Sequence, residues 1–351
     1  MNPGDGLLLE GPRGRRLCLE LVRDLDPAIR SAIFRLAHGV DAASGGILVP
    51  APWVDEADSF PISLLQQLSA DLVSLDLSGL GTSQIHAALS RSVESARYWQ
   101  ESDGEDKLAG HPIIRSALSR LAEHLASSPI MEWFGAPSRT EQWAIDWRST
   151  DAWPPLPKDP QQTLSQWAYK ERAEEERAAR ERPRDPRASW GGTWWSIPLG
   201  LITTVGHLPA ALSLVEDGSG WEQARAIPVR GKGRILEIRS EKDWIYLCRE
   251  FPFEVTASRR HEWFQATGRD GRWVIPNWEL VANEWDAVHL TVLGYLSCAT
   301  QALHVDPETA SMIAGWDPDT TIWLTDAARE CGGPRQDWVR DIDSGTWILR
   351  P

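Results

Sequence analysis

Trp153-Pro154-Pro155-Leu156-Pro157-Lys158-Asp159-Pro160 divides the chain. Four prolines in eight residues cannot continue a helix, because each removes a backbone N–H and clashes with the preceding turn. Upstream the sequence reads as helices. Asp26-Pro27 is an N-cap followed by a first-turn proline, after which Ile29, Ala32, Ile33 and Leu36 share one face. The same stripe returns in Ile85, Ala88, Leu89, Val93 and Ala96, and again in Ile114, Ala117, Leu118, Leu121 and Leu125. Residues 62–77 are partly helical on this reading, with Pro/Gly-punctuated stretches at 45–52 and 79–81. These amphipathic helices need one another, which predicts an all-helical domain over residues 1–152.

Downstream, Gln161–Arg182 consists of strong helix formers with opposite charges four apart: Lys170 with Glu174, Glu176 with Arg180, Arg177 with Glu181. It has almost no apolar stripe past Trp167, so residues 153–187 read as a Pro-rich boundary and a polar connector helix exposed to solvent. After residue 188 the texture changes to short strands separated by Gly and Pro. Strands are expected at 193–197, 211–215, 234–239, 287–291 and 320–325, and helices at 242–250, 278–284 and 295–303. Ser240 and Asp243 form a capping-box pair ahead of the first of these helices. Strands and helices do not alternate regularly, so a doubly wound nucleotide fold is disfavoured. The fold class is α+β: a helical domain, the connector, a Trp-rich and mainly antiparallel domain over 188–328, and a tail over 329–351 held by Trp338 and Trp347.

Composition narrows the function. The chain has 351 residues, enough for two cores, and its 42% hydrophobic and 25% charged fractions are those of a globular protein. Twenty tryptophans, thirteen of them beyond residue 187, build either a heavy core or stacking walls for a ligand. A net charge of −14 argues against general nucleic-acid binding and against anionic membrane surfaces. No apolar run is long enough to span a bilayer, and the basic residues follow the Leu7–Leu9 stretch instead of preceding it, so a cytoplasmic location is expected. Cys18, Cys248, Cys298 and Cys331 are far apart, which predicts reduced, mostly buried thiols. The basic clusters Arg13/Arg15/Arg16 and Arg259/Arg260 are short, and the first reads as a solvated edge.

No phosphate-binding loop, dinucleotide fingerprint or nucleophile elbow is present. His261-Glu262 lacks the second histidine of a zinc helix, and His304-Val305-Asp306 lacks a downstream histidine, so no metal is expected. Three segments carry candidate chemistry. In Gly191-Gly-Thr-Trp-Trp-Ser-Ile-Pro198 a strand would place Trp194 and Ser196 on one face and Trp195 on the other. Trp285-Asp-Ala-Val-His-Leu-Thr291 alternates Val288 and Leu290 with His289 and Thr291. Gly315-Trp-Asp-Pro-Asp-Thr-Thr-Ile-Trp-Leu324 puts Asp317 and Asp319 at the mouth of a strand, where they stabilise a developing cation or shape a turn.

These blocks, with Ser258-Arg-Arg-His-Glu-Trp263 and Gly11-Pro-Arg-Gly-Arg-Arg-Leu-Cys18, resemble a Trp-rich family of actinobacterial proteins; the resemblance implies no activity. In size and texture the carboxy-terminal half is similar to the ADP-ribosyltransferase fold, which holds NAD between two small sheets. That likeness implies Trp195 and Ser196 on the nicotinamide side, and Trp194, Arg259, Arg260 and His261 are the further candidate cofactor-binding residues. It further implies His289 at the ribose or diphosphate and Glu237, Asp317 or Asp319 at the cation. No Glu-x-Glu or Gln-x-Glu pair stands at the start of a late strand, as it does in that fold. The expected function is an NAD-dependent transferase acting on a small molecule or protein, and the alternative is a non-catalytic module that binds a protein or ligand on a Trp-lined surface. Packing of the tryptophans into a core is the third reading.

Overall fold

The computed structural model describes residues 7–44, 60–148, 155–218 and 220–350. Among these, nine helices come first: α1 (Leu7–Glu10), α2 (Pro12–Leu25), α3 (Pro27–Ser44), α4 (Ile62–Ser74), α5 (Thr82–Glu94), α6 (Gly104–Gly110), α7 (Pro112–Ala117), α8 (Ser119–Ala126) and α9 (Ile130–Phe134). The expected apolar stripes are their buried faces, from Ile29 and Ile33 through Ile85, Leu89 and Val93 to Ile114, Leu121 and Leu125. Asp26 caps α3 by accepting the Ala28 N–H at 2.6 Å. The stretch at 45–52 lies outside the described residues.

The remainder is mixed. It runs β1 (Glu141–Asp146), α10 (Pro160–Glu181), β2 (Ile202–Val205), β3 (Gln223–Gly231), β4 (Ile235–Ile238), α11 (Glu241–Glu250), β5 (Pro252–Glu254), α12 (Thr256–Thr267) and β6 (Arg272–Pro276). Then follow α13 (Trp278–Val281), β7 (Ala287–Leu290), α14 (Val292–Cys298), β8 (Leu303–His304), β9 (Thr309–Ser311), β10 (Thr320–Trp323), β11 (Ala328–Glu330), β12 (Gln336–Arg340) and β13 (Trp347–Leu349). The main sheet has the order β13-β12-β3-β1-β2-β10-β7-β4, with β11 beside β3, and a smaller sheet has the order β5-β6-β9-β8. Pairing in the main sheet is antiparallel except between β4 and β7, so the α+β class holds.

Several expectations change. Residues 141–146, placed by sequence at the end of the helical region, are a strand inside the main sheet. Residues 193–197 form no strand, 211–213 belong to a short 3₁₀ turn, and the helix expected at 295–303 instead covers Val292–Cys298, starting earlier because Thr291 caps it by accepting the Gly294 N–H. The tail is not an appendage, since β12 and β13 extend the main sheet. Burial of the basic cluster is a further correction. Arg13 is 1% exposed and donates to Ser92 O, Ser95 Oγ, Thr300 Oγ1 and Asp106, while Arg16 pairs with Glu20, Asp103, Glu105 and Asp106. The acidic first turn of α6 is what neutralises it.

The polar connector helix is α10, and it lies along α12 and α13. A short apolar stripe of Leu164, Trp167 and Ala168 holds its first half, and charges hold the part beyond it. Glu175 accepts the N–H groups of Ala257 and Ser258 at 2.7 and 2.8 Å, which caps the start of α12, and Glu171 faces Arg259 at 2.7 Å. One apolar core runs without interruption from Leu17, Ile33 and Leu89 to Trp244, Trp278, Leu296 and Trp316. Trp244, Trp263, Trp273, Trp278, Trp316 and Trp323 are fully buried, so much of the tryptophan is core. Free Cys18, Cys248 and Cys298 are buried too, and burial pushes their thiols up to about 12.

Candidate functional site

Paired residues on neighbouring strands point to the same face of a sheet. Register therefore lines up Glu237 on β4, His289 on β7, Thr321 on β10 and Thr204 on β2 in one polar row across the β4 end of the main sheet. The row is fully engaged. Thr204 Oγ1 donates to Gln142 Oε1 at 2.6 Å, Gln142 Nε2 donates to Ser138 Oγ at 2.9 Å, and Ser138 Oγ lies 3.1 Å from Thr321 Oγ1. The Ser138 N–H donates to Glu237 Oε1 at 3.0 Å.

Asp319 stands at the entrance to β10 in the left-handed backbone region, with φ 57°. Aspartate tolerates that conformation better than most residues, since its short side chain bonds locally. Here it turns the carboxylate inward. Oδ2 lies 2.7 Å from His207 Nδ1 and accepts the Trp133 indole N–H at 3.1 Å, while Oδ1 lies 3.4 Å from His289 Nε2. Burial by itself would raise the Asp319 carboxyl, but the bonds from His207 and His289 outweigh it and hold the group at about 2. An ionised carboxylate only accepts, so His207 Nδ1 carries the proton.

His289 is 1% exposed and sits between two carboxylates, with Nδ1 2.6 Å from Glu237 and Nε2 facing Asp319. Burial pushes its pKa down, yet the bonds to Asp319 and Glu237 raise it above the ordinary histidine value. A carboxylate facing each ring nitrogen favours the imidazolium form of His289. Glu237, His289, Asp319 and His207 form one chain, hydrogen-bonded at both ends and joined in the middle by the His289–Asp319 ion pair, that runs from the edge strand β4 to the partly exposed His207. His207 is its outer member, with a side chain 28% exposed and an Nε2 that makes no hydrogen bond among the described residues. Trp133 from α9 walls this histidine edge to face at 5.5 Å, and His86 from α5 stacks on Trp133 at 6.1 Å. Arg139 completes the rim, its Cδ 3.6 Å from where a Cβ on Gly206 would stand.

Comparison with protein-family models, curated proteins and solved structures finds no match. The chemistry has to be read from the residues themselves.

Three of the four expected catalytic residues, Glu237, His289 and Asp319, are thus brought together. Asp317 is two residues away but faces elsewhere. Its Oδ1 accepts the Glu216 N–H at 2.9 Å in a cluster with Tyr98, Tyr295 and Arg13. Burial pushes Asp317 up to about 7, and burial with the neighbouring Asp317 charge pushes Glu216 up to about 8. The expected cofactor residues form a third group. Trp194 and Trp195 stack on each other at 4.4 Å rather than facing opposite ways, and the buried Ser196 exchanges hydrogen bonds with Ala314. Main-chain oxygens of residues 194–196 accept from Trp263, Arg259 and Trp278, so this segment staples α12 and α13 to the core. On α12, Arg260 donates to Pro183 O, and His261 is buried, its pKa lowered by burial and by Arg260 and Arg182.

Sequence reasoning missed His207, Trp133, Ser138 and His86. Gly206-His207-Leu208-Pro209 reads as an ordinary turn, and Trp133 lies in a region read as packing helices; no local pattern links either to Asp319. Among the described residues, no group of three or more His, Cys, Asp or Glu is placed to hold a metal ion, and no helix is long and apolar enough to cross a membrane.

Proposed function

We propose that the protein is a group-transfer enzyme working by general acid–base catalysis, with His207 as the proton carrier and Asp319 as its anchor. A half-exposed imidazole carries this reading, because its Nδ1 is tied to a buried carboxylate while its Nε2 is open. That is the arrangement a general base needs, since the fixed tautomer leaves one nitrogen ready to accept. Nε2 takes the proton of a hydroxyl or water as its oxygen bonds to the electrophilic centre. The same proton passes to the leaving group as that bond breaks. The buried Asp319 carboxylate, held ionised beside His207 Nδ1, favours the imidazolium formed at His207 during the step.

Nicotinamide dinucleotide is the donor expected from the likeness to ADP-ribosyltransferases, so the test begins with NAD and adds phosphodiester and ester substrates. Full-length protein is assayed beside His207→Gln and Asp319→Asn. A loss of about 100-fold or more in His207→Gln with the fold retained supports the reading, that being the usual contribution of a positioned acid–base group. Turnover that survives His207→Gln overturns it.

A second reading, the non-catalytic binding module, is favoured by one observation. Trp147 stacks on Trp221 at 4.6 Å and meets Trp347 at 5.8 Å, at a pocket also lined by Glu94 and Arg340, and Trp221 is 39% exposed. No turnover on any substrate class, with ligand quenching lost in Trp221→Ala, would select it.

A further inference from the structure

We propose that Trp133 is a positioning residue that sets how strongly His207 holds its proton. The inference rests on the reading of His207 as the acid–base group, but its test needs no substrate. Trp133 and His207 share one acceptor. The indole N–H and His207 Nδ1 both point at Asp319 Oδ2, at 3.1 and 2.7 Å, and the indole ring also meets the imidazole edge to face. Each donor to a carboxylate draws on its charge, so an oxygen shared between two donors attracts each of them less than it would attract one alone. The indole N–H thereby weakens the hold of Asp319 on the His207 proton.

Position reinforces the effect. Trp133 belongs to α9, which packs against α8 and α14, and its ring contacts both His86 and His207. The His86 Nε2 is in turn 3.1 Å from Ala210 O, three residues past His207. The helical part of the chain thus supplies one wall of a site whose other groups stand on the main sheet. Charged and titratable groups facing His207 from the surrounding elements are Asp319 directly, His289 and Glu237 behind it, His86 beyond the indole, and Arg139 at the rim.

The test is a pH titration by NMR of the histidine ring and indole N–H signals, using the full chain. His207 is assigned from the signal lost in His207→Gln and Trp133 from the one lost in Trp133→Phe. In the wild-type protein the Trp133 indole signal should move with a midpoint equal to that of His207, and this movement should vanish in His207→Gln. Trp133→Phe keeps a ring but removes the donor, and it should shift the His207 midpoint upward by about half a pH unit. An indole signal that stays still while His207 titrates overturns the proposal, as does a Trp133→Phe midpoint that is unchanged or lower. If Trp133→Phe does not fold, the wild-type indole titration still decides. Failure of the catalytic reading looks different: both NMR signatures present, with turnover indifferent to His207→Gln.

Discussion

Asp319→Asn isolates the charge at the centre of the site, because asparagine is as much at ease as aspartate at φ 57° and occupies the same volume. Asp319 is held at about 2 against an ordinary 3.8. A difference of nearly two units, at about 1.4 kcal/mol each, corresponds to roughly 2 kcal/mol of folding stability at neutral pH. The folded value is the depressed one, so this contribution is complete above the unfolded value of 3.8 and is lost as pH falls through about 2. The amide cannot satisfy all three donors. If its oxygen serves His207 and Trp133, its N–H₂ meets His289 Nε2, which must then give up its proton. Removing one member of a buried pair costs about 3 kcal/mol when the remaining charge has nowhere to go, so the expected loss is about 2–3 kcal/mol. Urea unfolding at pH 7 should show a lower midpoint at unchanged slope, the sign of a stability change without a change of compactness. Between pH 4 and pH 2 the wild-type protein should lose stability more steeply than the variant. A cost below about 0.5 kcal/mol, or two parallel acid limbs, would refute the reasoning, since that is the range of surface substitutions.

Two further predictions concern the other buried charges. Glu216 is raised from 4.5 to about 8, so its folded state favours the protonated form; the resulting penalty is absent below pH 4.5, grows up to about pH 8 and is complete above it. Glu216→Gln should therefore raise the melting temperature at pH 9 and change it little at pH 4, and equal effects at both would contradict the assignment. Arg259→Met leaves Glu171 facing an apolar side chain and should cost about 3 kcal/mol in urea unfolding. Adding Glu171→Gln should recover part of that loss, whereas simple additivity would show the two residues to be uncoupled.

Local order in this chain was legible where one period or one cap carried the message. The stripes at Ile29, Ile85 and Ile114 became buried helix faces, and Asp243 accepts the Ser240 N–H as the capping pair predicts. The longest strand, β3, was missed, and Pro228 explains why. A proline inside a run argues against a central strand. In the fold, β12 pairs with residues 223–226 and β11 with 229–231, so the Pro228 nitrogen faces the gap between them, on the side where its own oxygen takes the Cys331 N–H at 2.9 Å. No ladder bond is lost there. Nor could the docking of α10 be read from its apolar stripe alone, which stops at Ala168 apart from Ala178, since Glu171 and Glu175 continue the contact with α12 by charge.

The sequence alone determined the helix faces around Ile29, Ile85 and Ile114, the capped starts of α3 and α11 and the α+β character of the chain, and it singled out Glu237, His289 and Asp319, along with Asp317, as chemistry-bearing side chains. Those are properties of neighbouring residues, set by period, capping and side-chain type. What only the tertiary structure decided is which of these groups meet. Glu237 and His289 are 52 positions apart, His207 and Asp319 are 112, and Trp133 and Asp319 are 186. Strand register and the packing of α9 against the sheet domain bring them within hydrogen-bond reach. A one-residue slip of β7 against β4 or β10 would turn His289 to the opposite face and dissolve the site. Register is paid for by the core as a whole, through residues such as Val288, Leu290 and Ile322 that carry no chemistry, which is why no short motif announces the site.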